Sequence, residues 1–172
     1  MVEDRKRPAR VLLVVHEQHA CDEQDLVDFL AQRLLKRGYT VHAATTGPDA
    51  IAAARNQTFD VAVVDLKMPQ MDGIQVIEQL KDMQPHLETI MLTGHGSTDS
   101  ALQAGKLQTF RYLLKPYDFG QLVEQIDDAV ATRRQTLRDR FEAELEKVIG
   151  SNASPREIIH ESERLRREYE QD

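Results

Sequence analysis

Five short apolar runs, each followed by a stretch with helical spacing, restrict the fold of this chain more than any other feature. The runs are Val11–Val15, "YTVHAAT", "FDVAVVD", "ETIMLTG" and "FRYLLKP". Between them, Leu26, Phe29, Leu30 and Leu34 recur at helical spacing and stop at Gly38, a glycine suited to the position just past a helix end. "GPDAIAAARNQ" carries Pro48 near a helix start, and "MDGIQVIEQLKDM" is closed by Pro85. "STDSALQAGKL" and "YDFGQLVEQIDDAVATRRQ" complete the series. Strands joined by helical crossovers form a parallel sheet with helices on both faces. Both faces of such a sheet are covered, which accounts for strands that lack strict apolar–polar alternation. The expectation is a doubly wound α/β fold with a five-stranded parallel sheet.

Functional crevices in such sheets lie at the carboxyl ends of the strands. The polar residues there are His16 and Glu17 with nearby Asp22 and Glu23, then Asp65, Thr93 and Lys115. Asp65 is followed by "LKMPQMDG", where Pro69 and Gly73 punctuate a tight loop that would hold the carboxylate at the sheet edge. A carboxylate can attack phosphorus and form an acyl phosphate. A lysine supplies a point charge for the phosphoryl oxygens, a threonine a hydrogen bond, and Mg²⁺ the remaining neutralisation. Taken singly, Lys115 could cap carbonyls, Thr93 satisfy a strand end and Asp65 cap a helix. Three such residues on successive strand ends favour the joint chemical role.

Charge and composition remove several alternatives. The net charge is -7, from 22 basic and 29 acidic side chains, which argues against a dedicated binder of nucleic-acid backbone. Arg5, Lys6, Arg7 and Arg10 form the one basic cluster and read as a solvated tail. A single cysteine excludes an internal disulfide and fits a reducing cytoplasm. No apolar run approaches membrane-spanning length, and the amino terminus leads into a strand rather than a signal segment.

Over residues 10 to 134 the chain resembles the receiver domain of two-component response regulators, a CheY-like, flavodoxin-like fold. "FDVAVVDLKMPQMDG", "TIMLTGHGS" and "FRYLLKPYD" carry the resemblance. It implies that Asp65 is the phosphoacceptor, that Thr93 and Lys115 stabilise the phosphoryl group, and that Thr93 and Tyr112 act as switch residues. It further implies a cis Lys115–Pro116 bond, a sensor histidine kinase as phosphodonor, and Mg²⁺ held by Asp65, the Lys67 main-chain carbonyl and an acidic pair after the first strand. Lys67 and His95 stand where relatives tune the lifetime of the acyl phosphate; a solvent-facing loop is the plain alternative for both.

The acidic pair is where the chain departs from the family. Counting back from Gly38 places Cys21 and Asp22 at the pair, after a loop lengthened by several residues. Counting forward from the first strand places His16 and Glu17, or Val15 and His16, there instead. The reading favours Asp22, with Glu17 or Glu23 as further candidates. One acid is replaced by Cys or His on either count, and Mg²⁺ prefers hard oxygen donors. Weakened Mg²⁺ affinity and slow phosphorylation follow as expectations. His16, His19 and Cys21 also invite a zinc reading, but their spacing fits no known ligand pattern.

Residues 1–9 read as a flexible tail, 10–134 as the receiver and 135–172 as a helical extension. Val130, Leu137, Phe141, Leu145 and Val148 continue the last helix to about Gly150 with an apolar stripe. Ser154-Pro155-Arg156-Glu157 then starts a second helix as a capping box. The stripe requires cover from a second copy, from the receiver itself or from a partner. The function expected is a phosphorelay receiver signalling through protein contacts, with a homodimer through the last helix and extension. It accepts phosphate without being an enzyme in the usual sense. The competing reading is a divergent receiver that serves as a phosphorylation-independent dimeric scaffold.

Overall fold

The three central strands are sealed on both faces, and the two edge strands are partly exposed. The computed structural model describes residues 7–15, 24–68, 70–94, 111–151 and 153–171. Its strands are β1 (Arg10–Val14), β2 (Thr40–Ala44), β3 (Val61–Asp65), β4 (Glu88–Thr93) and β5 (Arg111–Leu114). Its helices are α1 (Gln24–Lys36), α2 (Gly47–Asn56), α3 (Gly73–Met83), α4 (Phe119–Gly150) and α5 (Pro155–Gln171). All strand pairs are parallel, in the order β2-β1-β3-β4-β5. The helix expected in "STDSALQAGKL" lies outside the described residues.

Successive strand residues point to opposite faces, and each face has its own core. Val11, Leu13, Val63, Ile90 and Leu92 pack with Val27, Leu30 and Leu34 of α1 and with Leu122, Ile126 and Val130 of α4. Leu12, Val14, Ala62, Val64 and Met91 pack with Ala50 and Ala54 of α2 and with Val76, Ile77 and Leu80 of α3. This is the physical reason β1 and β3 read as unbroken apolar runs. The strand order reverses direction between β1 and β3, so the ligand crevice expected of the fold lies beside the end of β3.

A second polar centre sits at the opposite, amino-terminal edge of the sheet. Asp60 is 3% exposed. Its Oδ1 accepts from Arg133 Nη1 at 2.9 Å and from Arg7 Nη2 at 3.3 Å, and its Oδ2 accepts from the Arg10 N–H at 2.7 Å. Arg133, equally buried, belongs to α4, so this carboxylate ties the long helix to the base of the sheet. Arg7 and Arg10 were expected in a solvated tail. The structure instead places Arg7 on Asp60, makes Arg10 the first residue of β1, and buries Ala9 in the core. The buried carboxylate supplies the reason: it recruits the nearest guanidinium groups.

The extension closes on itself. α4 runs unbroken for 32 residues, and α5 folds back antiparallel along its distal half. Leu137 and Leu165 are buried, and the rings of Phe141 and Tyr169 meet edge to face at 5.6 Å. The capping box is formed: Ser154 N–H donates to Glu157 Oε2 at 2.8 Å, and Glu157 N–H donates to Ser154 Oγ at 3.4 Å. The Ser154 N–H and then the Ser154 hydroxyl, both donating to the Glu157 carboxylate, hold it below its usual range. The apolar stripe of α4 is thus covered by the second helix of the same chain, an arrangement outside the three expected covers.

Candidate functional site

Asp65 ends β3 with its side chain 7% exposed and one edge open to the crevice. Its Oδ2 lies 2.5 Å from Lys115 Nζ, and its Oδ1 accepts from the Lys67 N–H at 3.2 Å. The loop that aims it is held from both sides. Leu66 N–H donates to Leu92 O at 2.8 Å, and Gly73 N–H donates to Leu66 O at 3.0 Å. Asp72 then caps α3, its side chain accepting from Ile74 N–H at 3.0 Å while Gln75 reaches back to its own N–H.

Gly73 is required by contact. A Cβ there would lie 2.3 Å from Asp65 O and 2.9 Å from Leu66 Cα, both rigid backbone. Gly73→Ala is therefore expected to cost about 1–3 kcal/mol of overpacking and to shift the loop that aims Asp65. Denaturant unfolding measures the first effect; the rate of labelling by a small phosphodonor measures the second.

Lys115 reaches Asp65 from the neighbouring edge of the sheet. Its N–H donates to Thr93 O at 2.8 Å, continuing the β4–β5 ladder by one residue. The Lys115–Pro116 bond is cis, as the resemblance implied. Thr93 is 2% exposed at the end of β4, one residue past Leu92, the register partner of Asp65. Tyr112 is half-buried on β5 and packs against the core on the α2–α3 face. Asp65, Thr93, Lys115 and the Lys67 main chain are therefore gathered at one sheet edge, with Tyr112 three residues before Lys115. Asp22, Glu17, Glu23, His16, His19, Cys21 and His95 lie outside the described residues.

Sequence reasoning missed Tyr117. Its phenol is pushed up by burial and further by the charge of Asp65, so the ring sits within the field of the site. The "KPYD" string contained the residue, but only the fold shows that the chain turns it back toward β3.

A model of the response regulator receiver domain matches residues 20–127. The chain belongs to the response regulator receiver family. The receiver is 35% identical over 135 residues to the transcriptional regulatory protein GlrR of Escherichia coli (strain K12), covering 78% of this chain and 29% of that protein. It is 33% identical over 135 residues to the transcriptional regulatory protein ZraR of Salmonella typhimurium, covering 77% of this chain and 31% of that one. The chain thus spans less than a third of the length of either relative. Among solved structures, the receiver domain protein (CheY-like) from Methanospirillum hungatei JF-1 superposes with a TM-score of 0.68 at 26% identity. That match covers 75% of this chain and 98% of the other.

Receivers of this family hold Mg²⁺ at an acidic pocket. Here the Asp65 carboxylate offers hard oxygen donors of the type Mg²⁺ prefers. Among the described residues no cluster of three His, Cys, Asp or Glu side chains forms. No described helix is long and apolar enough to cross a membrane.

Proposed function

We propose that Asp65 accepts a phosphoryl group from a sensor histidine kinase and that the receiver passes the signal on through protein contacts, self-association among them, in the cytoplasm. The observation that carries this reading is the pairing of a nearly buried carboxylate at the end of β3 with the Lys115 ammonium 2.5 Å away. An Asp65 oxygen attacks phosphorus, the bond from phosphorus to the donor's imidazole breaks, and the donor leaves with its electron pair. The product is an acyl phosphate on Asp65. Lys115 is in place before the reaction, so its charge meets the phosphoryl oxygens without reorganisation.

Mg²⁺ held by Asp65, the Lys67 carbonyl and Asp22, with Glu17 or Glu23 as further candidate ligands, supplies the remaining charge neutralisation when bound. The Thr93 hydroxyl then hydrogen-bonds the new group, and Tyr112 follows it. Lys67, whose side chain is exposed, and His95 tune the water that ends the signal. The added charge biases a two-state element whose readout is the surface around β4, β5 and α4.

Acetyl phosphate with Mg²⁺, followed by intact mass and fragment mapping, tests the reading. One phosphoryl group per chain on the peptide containing Asp65, dependent on metal, is the expected result. An unlabelled chain at saturating donor and metal would remove it in favour of a phosphorylation-independent scaffold.

A further inference from the structure

α4 carries a second line of residues on the flank of the stripe that α5 covers, sharing the half-buried Leu145 with it. Ala131, Gln135, Arg138, Glu142, Leu145 and Ile149 follow one another at spacings of four, three, four, three and four, which places them on one face of the helix, apolar at its ends and charged at its centre. All are exposed except the half-buried Leu145, and Ile149 is 58% exposed. On α5 the exposed line is Ile159, at 59%, with Glu163 and Arg166. Val148 and Ile158, on the half-buried side of each helix, each precede one of these isoleucines by one residue. In an antiparallel hairpin, one step toward the C-terminus turns both helices to the same flank, so Ile149 and Ile159 share it.

The charges on this flank are self-complementary under a two-fold rotation. Arg138 and Glu142 are symmetric about position 140, ten residues before the end of α4, or about 15 Å from the hairpin tip at 1.5 Å per residue. Glu163 and Arg166 are symmetric about a point nine to ten residues into α5, or about 14 Å from the tip. Both helices therefore place their centre of charge symmetry at the same height. The four side chains make no ion pair or hydrogen bond among the described residues. Arg138 lies on the amino-terminal side of Glu142, the poorer order for a pair within one helix.

We propose that this flank binds the same flank of a second copy, about a two-fold axis running across the hairpin, to close an antiparallel four-helix bundle. Arg138 of each chain then meets Glu142 of the other, Glu163 meets Arg166, and Ile149 at each tip rests on Ala131 of the opposite chain. On α4 the Ile149–Ala131 contacts at the ends and the charged middle are buried together. The pairing needs no phosphate on Asp65, so its failure would leave the phosphoacceptor reading untouched.

Sedimentation equilibrium of the unphosphorylated full chain over a concentration series tests it. A reversible dimer is expected. R138E and E142R should each raise the dissociation constant by about tenfold or more, because the symmetry makes each reversal meet a like charge twice. The combined R138E/E142R chain should recover wild-type dimerisation. Circular dichroism keeps helix content as the control, since both residues are exposed. A wild-type chain that stays monomeric would overturn the proposal and leave the flank to another protein. Dimers indifferent to the single reversals, or not restored by the double one while helix content holds, would overturn the register.

Discussion

Asp60→Ala is expected to cost roughly 3–5 kcal/mol of folding stability, the range for removing one partner of a buried ion pair. The change strips the carboxylate from Arg133, which is itself only 3% exposed, and leaves the Arg10 N–H without its side-chain acceptor. Arg133 keeps one further acid in its field. Burial pushes the Glu88 carboxyl up while Lys81 and then Arg133 pull it back, so Glu88 shares part of the stranded charge. That favours the lower half of the range. At about 2–4 °C per kcal/mol for a chain of this length, the melting temperature falls by on the order of 10 °C.

Arg7→Ala is the contrast. Its side chain is 38% exposed and its bond to Asp60 is long at 3.3 Å, so a loss within about 1 kcal/mol is expected. Replacing Asp60 and Arg133 together by leucine should recover most of the stability, because a packed apolar pair needs no desolvated charges. Thermal melts of the four chains decide the matter. A loss below 1 kcal/mol for Asp60→Ala would show that the pair does not hold α4 to the sheet. The five residues of β3 separate Asp60 from the Asp65 crevice by about 16 Å, so the folded variant should still accept phosphate.

That pair also marks the limit of what could be read from the chain. Asp65 and Lys115 are found by asking which residues end the strands, because a parallel sheet brings strand ends together whatever the loops do. Gly38, the Ser154 capping box and the run of α4 to Gly150 are likewise local signals, and each stands where the pattern put it. Asp60 and Arg133 are 73 residues apart, and neither has a neighbour that announces a buried partner. Asp60 stands inside the apolar run "FDVAVVD" and Arg133 inside the last helical stretch, and spacing singles out neither of them. The fate of the α4 stripe was open for a related reason. Periodicity shows that a face must be covered, but the covering helix has only Ile158, Leu165 and Tyr169 amid many charges, a face too sparse to identify from spacing.

Asp65→Asn is expected to abolish phosphoryl acceptance outright rather than slow it. The amide keeps the shape of the side chain and can still accept the Lys67 N–H, so the loop and the fold are preserved. What disappears is the anionic oxygen proposed to attack phosphorus, and among the described residues Lys115 pairs with no other carboxylate. Lys115→Ala separates nucleophile from stabiliser. Its ammonium acts on charge that develops during transfer, so labelling by acetyl phosphate should fall by about 10²–10³-fold without vanishing. The Lys115 side chain is 38% exposed, but its loss leaves the 7%-exposed Asp65 carboxylate without its cation, so the melting temperature is followed beside the labelling rate. The two variants thus differ in kind, one with no labelled product at any time and the other with a slow approach to it. Equal labelling of the Asp65→Asn chain would move the phosphoacceptor elsewhere. An unchanged rate in the Lys115→Ala chain would reduce the 2.5 Å contact to a resting ion pair with no part in the transfer.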